Sequence, residues 1–340
     1  MAALRSLFAP WWALELATGA KSFGDNPLIG SARLNEKGLH VARVRLADRL
    51  AEQRRRRLAH LVKPAFAEEF ALNGYVCVPD FLPRDSFARL RDEAMAARLP
   101  AREMVQGDTI TRRIALDPKA LAAIPAVRHF LDDPRWRGLV RYVGSFDNEP
   151  LMYIQTILSH RHDAPPDPQE NLHADTFHAT VKAFYFLTDV AEDEGPFTYV
   201  RGSHRLTPAR LEWERQRSLE AAAGRLDRLS TRGSLRIRRE ELGAIDLPEP
   251  TPLAVPANTL IVADTHGFHA RGPSARPSTR VELWGYGRRN PFLPWTGGDV
   301  TSLPWIAERR VPLFWKAGDL LSRWSPQTWK DVGLKRPGDE

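Results

Sequence analysis

Asn171-Leu172-His173-Ala174-Asp175 places an imidazole and a carboxylate two residues apart. In an extended backbone, side chains at i and i+2 project to the same face. This strand end therefore offers a nitrogen and an oxygen to one cation, and a third ligand has to come from elsewhere. The best candidate is His269, in Ala263-Asp264-Thr265-His266-Gly267-Phe268-His269-Ala270-Arg271-Gly272. Two histidines and one carboxylate on one face of a first-row metal leave the remaining positions open. His178 and His266 compete for the nitrogen positions, and Asp264 for the oxygen. Regular strand alternation puts His178 on the face opposite Asp175.

A bare His-x-Asp is common by chance in a chain with ten histidines, so its surroundings carry the reading. Val181 to Val190 is an apolar and aromatic run with the character of a core strand. Asp193-Glu194-Gly195-Pro196-Phe197-Thr198-Tyr199-Val200-Arg201-Gly202-Ser203-His204 follows it. Arg280 stands eleven residues beyond His269 and opens Val281-Glu282-Leu283-Trp284-Gly285-Tyr286.

This ordered set, over roughly Phe66 to Gly287, resembles the phytanoyl-CoA dioxygenase family of Fe(II)/2-oxoglutarate oxygenases. The resemblance implies a mainly β fold with flanking helices, built on a double-stranded β-helix (jelly-roll, cupin-like) core. It implies Fe(II) held by His173, Asp175 and His269, with 2-oxoglutarate and O2 as cosubstrates. Arg280 lies where the family places the arginine for the distal carboxylate, which a planar guanidinium fits better than an ammonium does. A hairpin from His269 to Arg280 is expected to return both to one barrel mouth. Ser203-His204 reads as the family's usual turn. Arg271 departs from the small hydroxyl residue often found two positions after the distal histidine. It either alters the fit around the cosubstrate carboxylate or points outward to an anionic substrate. Asp175 itself favours hydroxylation, because related halogenases replace this carboxylate with a small residue.

Composition is that of an ordinary globular chain, 43% hydrophobic and 27% charged. No run of about 18 apolar residues is present, so no spanning helix is expected. The one cysteine, Cys77, excludes an internal disulfide and fits a reducing compartment. Of the formal +7 charge, residues 1–62 hold eleven Lys/Arg against five Asp/Glu. That leader includes Trp11, Trp12 and the run Arg54 to Arg57. Basic residues beside interfacial tryptophans suit an anionic membrane surface; a solvated helix face, or docking on the protein's own core, explains them equally well. The expectation is a cytoplasmic protein, peripheral at the inner face of the membrane, with a small-molecule or lipid-linked substrate and no nucleic acid.

The expected organisation is a leader over 1–62, a catalytic domain over 63–290 and a tryptophan-rich extension over 291–340. Helices are expected at Phe66 to Leu72, capped by Asn73-Gly74, at Ser86 to Ala97, at Pro118 to Leu131 and at Asp133 to Val143. Strands are expected at Tyr75 to Val78, Thr109 to Ala115 and Leu151 to Leu158. Gln155, on the last of these, faces the cosubstrate or is a satisfied core amide. Pro208 to Glu241 reads as one or two exposed helices inserted between core strands, where substrate recognition is set. Leu253 to Ala263 returns to strand. Trp295, Trp305, Trp315, Trp324 and Trp329 crowd the tail as an interfacial belt, an acyl groove, a lid or plain packing.

Overall fold

Strand alternation decides what each residue of the central sheet touches. The computed structural model describes residues 10–322 and 327–339. Eight strands form one antiparallel sheet: β1 (Tyr75–Val78), β2 (Leu99–Gln106), β3 (Thr109–Ala115), β4 (Leu151–Leu158), β5 (Val181–Phe186), β8 (Leu260–Asp264), β10 (Thr279–Gly287) and β11 (Lys330–Lys335). Their order is β1-β8-β5-β10-β4-β3-β2-β11. A smaller sheet runs β7-β6-β9, from β6 (Phe197–Tyr199), β7 (Thr251–Leu253) and β9 (His269–Arg271). The two sheets form the jelly-roll core, with helices packed outside.

One set of alternate residues, including Val76, Ile114, Ile154, Tyr185, Val262 and Leu283, packs against the outer helices. The other set, including Tyr75, Tyr153, Phe184, Ile261 and Trp284, meets Phe197 and Tyr199 of the small sheet. The central strands β1, β8, β5, β10 and β4 are therefore apolar on both faces over most of their length, as a sheet covered on both sides requires.

The helices follow local signals. Pro64–Asn73 ends at Gly74 in the left-handed conformation, φ 88°. A Cβ there would come within 2.6 Å of Tyr199 Oη and His204 Nδ1, so only glycine fits. The expected single helix over Pro118 to Leu131 is two, Pro118–Ala123 and Pro125–Asp132, because Pro125 cannot continue the first. Arg84–Ala96 and Pro134–Gly144 complete the outer layer.

Two expectations change in three dimensions. His269 and Arg280 are not the ends of a hairpin: β9 pairs with β6, whereas β10 pairs with β4 and β5. The connection crosses between sheets, and burial of both strands on different partners outweighs local pairing. The insertion is only half exposed. Its first helix, Pro208–Ala222, buries Trp213 against Phe268 at 4.9 Å, and Arg210 stacks over the same ring at 3.9 Å.

The leader is part of this second layer. Its helix Leu39–Leu58 buries Val44, Ala47 and Leu58. Arg54 and Arg55 turn inward, while Arg56 and Arg57 stay exposed. Arg54 donates to the carbonyls of Ser145, Pro291 and Leu293. Arg55 pairs with Asp264 at 2.6 Å and donates to the Val143 carbonyl. The run is therefore neither a free anionic-surface patch nor a wholly solvated face.

Three buried histidines that belong to this packing, His178, His204 and His266, have pKa values pushed down by burial, His204 to about 3. Their ordinary value is 6.5. Below it the unfolded chain binds protons that the folded chain refuses. Stability is therefore full above about pH 6.5 and falls as pH drops, by about 1.4 kcal/mol per pH unit for each such histidine. Urea midpoints measured between pH 7 and pH 5 should fall steadily. A flat profile would mean that these imidazoles are not held neutral.

Candidate metal centre and its cavity

His173 and His269 exchange both backbone hydrogen bonds, each N–H donating to the other's carbonyl at 3.0 Å. This reciprocal pair sets the two rings 4.5 Å apart. Asp175 is fixed by its N–H, which donates to the Thr265 carbonyl at 2.9 Å. His173 is an isolated bridge residue outside the named strands, and the Asp175 side chain reaches the same point in space as the two imidazoles.

Asp175 Oδ1 lies 3.7 Å from His173 Nε2 and 3.6 Å from His269 Nε2. Ligand atoms around an octahedral ion at 2.0–2.2 Å lie about 3 Å apart on adjacent positions, so a small inward rotation of side chains closes the set. Among the described residues this is the one group of three that could hold a metal ion. Each Nδ1–H donates to a carbonyl, His173 to Asn171 at 2.7 Å and His269 to Gly267 at 3.0 Å. Those bonds fix the tautomer and leave each Nε2 unprotonated, the form that can ligate a metal. Burial lowers the pKa of both imidazoles, His173 to about 4. Asp175 is held ionised against its burial by Lys182 and the two imidazoles. The donor set thus fits a divalent ion.

The rival donors go elsewhere. His178 Nδ1 meets the Ala179 carbonyl and His266 Nδ1 the Thr176 carbonyl. Asp264 takes the Arg55 ion pair and accepts from the N–H groups of Thr180 and His266. His204 packs on Phe70 at 5.1 Å.

The triad faces a cavity of about 360 Å³ lined on one wall by Phe184, Phe197, Tyr153 and Trp284. Its floor is charged. Arg280 donates to the Gly195 carbonyl and lies 3.1 Å from Glu282. Arg271 is largely enclosed and pairs with Asp167 at 2.5 Å, so it does not point outward to solvent. Gln155 accepts from Arg113 Nε at 2.9 Å and donates to Glu282 at 2.7 Å. It is a satisfied amide that also lines the cavity.

Arg113, on β3, went unremarked in the sequence. Its guanidinium lies 4.1 Å from the Trp284 ring, 4.9 Å from Tyr153 and 4.5 Å from Trp329. No carboxylate among the described residues lies within ion-pair distance of it. Three guanidiniums thus share two carboxylates, Asp167 and Glu282. The surplus positive charge suits one more carboxylate, and the floor fits the distal end of a short diacid. Burial pulls Arg113 to about 10, still protonated at neutral pH.

Residues 70–242, half of the 340-residue chain, match the model of the phytanoyl-CoA dioxygenase family. The chain belongs to that family. The match ends before His269 and Arg280, whose placement rests on the geometry above. Family membership makes this an oxygenase-type protein dependent on iron and 2-oxoglutarate. Among solved structures, the chain is similar to the non-heme alpha-ketoglutarate-dependent epimerase SnoN from nogalamycin biosynthesis, at 20% identity over 72% of this chain and 93% of that one, TM-score 0.45. It is also similar to HygX from Streptomyces hygroscopicus, solved with nickel and 2-oxoglutarate, at 17% identity over 66% and 87%, TM-score 0.43. A third is the carbocyclase SnoK from nogalamycin biosynthesis, at 17% identity over 79% and 96%, TM-score 0.40. No curated protein matches the chain.

Two lysines beside the triad also went unremarked. Lys182 Nζ lies 2.7 Å from Asp175 Oδ2 and 3.2 Å from His269 Nε2. Its signal in the sequence was a single charge inside Val181-Lys182-Ala183-Phe184-Tyr185-Phe186. Lys21, from the leader, donates to the Asp175 backbone carbonyl.

Proposed function

We propose that this chain is an Fe(II)- and 2-oxoglutarate-dependent dioxygenase that hydroxylates an unactivated C–H of a small-molecule or lipid-linked substrate. The observation that carries the reading is a single cavity with a facial donor set at one end and surplus guanidinium charge at the other. His173, Asp175 and His269 would hold the iron, and Arg280, supported by Arg113 and Gln155, would hold the distal carboxylate of 2-oxoglutarate. Iron bound there supplies the oxidising chemistry with O2. The chain's own part is to orient the diacid, to keep both imidazoles neutral and to exclude water with Phe184, Phe197 and Trp284. Asp175 fills the third protein position, which favours hydroxylation over halide transfer.

The test is succinate release from 2-oxoglutarate by the Fe(II)-loaded chain. None in a broad substrate screen would favour a cupin-like metalloenzyme that does not use 2-oxoglutarate. The Arg280→Ala variant should need roughly 10- to 100-fold more 2-oxoglutarate, from the loss of one charge-assisted contact, while Fe(II) affinity stays within about twofold. An unchanged cosubstrate requirement would move the role to Arg113 or Arg271. A binder built on Arg54 to Arg57 is disfavoured because the first two are engaged internally.

A peripheral membrane contact remains a proposal, and exposed residues support a broader surface than the leader alone. Trp11 is 58% exposed, and near the C-terminus Trp305, Leu313, Phe314 and Leu320 are 66%, 59%, 68% and 78% exposed. Exposed Arg309 and Lys316 flank the latter group, the mixture that an interfacial helix uses; Trp324 of the same tail lies outside the described residues. No described helix is long and apolar enough to cross a membrane. Full-length protein should co-sediment with anionic vesicles at low salt, and Trp305→Ser with Phe314→Ser should weaken it severalfold. Equal sedimentation of the double variant would remove this surface from the account.

A further inference from the structure

The cavity opens past a second group of cations, separate from the floor. Lys21 lines both the inner cavity and an outer vestibule of about 590 Å³, which Ser234 and Arg288 also line. Lys182 comes from β5, Arg236 from the insertion and Arg288 from the end of β10. Lys182 pairs with the Asp175 carboxylate and Lys21 donates to its backbone carbonyl, while Arg236 and Arg288 add positive charge around Lys21.

Their other partners are mostly neutral. Lys21 donates to the Asp175 carbonyl, Arg236 to the Ser234 carbonyl at 3.1 Å, and Arg288 to the Gly19 carbonyl. Backbone carbonyls orient these cations without cancelling their charge. Glu15 and Asp25 line the same vestibule and offset part of this charge, and Asp227 faces Arg236. Glu15 accepts from Asn26 at 2.7 Å, Asp25 is exposed, and Asp227 caps a short helix through Leu229, Ser230 and its hydroxyl. Like charges held together in a partly desolvated mouth repel unless an anion sits among them. A divalent ion on Asp175 would raise the positive potential further.

We propose that this mouth is a substrate subsite for a phosphate group, held by Lys21 and Arg288, which line it, with the rest of the substrate directed past Lys182 toward the triad. The subsite deepens the oxygenase reading and rests on it for the word substrate. More than one cation around a small mouth favours a doubly charged group over a single carboxylate. The leader then has a role in the site itself: it delivers Lys21, and the insertion lines the mouth through Ser234, so both set specificity.

The test is calorimetric titration of the full-length, metal-free chain with inorganic phosphate. Binding should weaken roughly tenfold or more in Lys21→Met and in Arg288→Met, the scale of one charge-assisted hydrogen bond. It should be retained in Lys21→Arg, and be unaffected by Arg280→Met on the floor. Unchanged melting temperatures in the mouth variants exclude misfolding as the cause. No binding to the unaltered chain, or loss in Arg280→Met alone, overturns the proposal. A chain that binds phosphate at the mouth but never releases succinate keeps the subsite and sinks the oxygenase reading; the reverse result does the opposite. Short-chain phosphatidic acid should bind more tightly than phosphate if the phosphate belongs to a lipid, and equally if it belongs to a soluble metabolite; either affinity must show the same dependence on Lys21.

Discussion

Asp175→Ala is expected to lower Fe(II) affinity by more than about 100-fold and to stop succinate formation. Even outer partners of metal ligands commonly cost 10–100-fold, and Asp175 is the only carboxylate of the triad. Its loss would leave two neutral imidazoles to attract a divalent cation, with Lys182 and Lys21 repelling it. Lys182→Met tests the same electrostatics in the opposite direction. Its ammonium is 2.7 Å from Asp175 Oδ2, where it would compete with an ion for that carboxylate. Removing it should tighten metal binding, read by competition with a fluorescent chelator. Weaker binding in Lys182→Met would mean that the ammonium orders Asp175 and does not compete with the metal. Near-normal affinity in Asp175→Ala would remove this carboxylate from the metal centre altogether.

Local chemistry made much of the fold legible in the sequence. Tyr75 to Val78, Thr109 to Ala115 and Leu151 to Leu158 are strands at the expected residues, because β-branched and aromatic residues are dense in them and turn residues bound them. The spacing within His173-Ala174-Asp175 was readable too, since i and i+2 share a face wherever the backbone is extended. What remained hidden depended on contacts between distant segments. β2 and β11 carry Arg102, Glu103, Lys330 and Asp331, and they are strands because they pair with each other at the sheet's edge. Arg113, Lys182 and Glu282 look like ordinary surface charges by type. Only the pairing of β3, β4, β10 and β5 turns them all onto the cavity face. A charge at a cavity-facing position of an otherwise apolar strand was the signal available, and it needed the register to be read.

Arg55→Met is expected to destabilise the chain by about 3–5 kcal/mol, the range for breaking a buried ion pair by removing one partner. Arg54-Arg55-Arg56-Arg57 spans about one helical turn, so it cannot point all four residues outward on a helix packed against a core. Arg55 is 4% exposed and reaches Asp264, itself 2% exposed, while stacking over Phe70 at 4.7 Å. Without it, Asp264 Oδ2 loses its partner, although Oδ1 keeps the N–H groups of Thr180 and His266. Those two donors, together with the Asp264 N–H that donates to the Gly74 carbonyl, tie this carboxylate to the turn leading to His269. Damage there should loosen the distal ligand as well as the fold. Adding Asp264→Asn to Arg55→Met should recover part of the stability, because an amide tolerates the vacancy better than a charge does. Urea denaturation of the three variants measures this. A single variant within about 0.5 kcal/mol of the unaltered chain would show that the leader helix is not an integral wall of the barrel. The same contacts bear on the membrane question. Cutting the chain at Pro64 would strip the helix from Asp264, so the truncated protein is expected to misfold, and vesicle binding has to be compared between full-length variants.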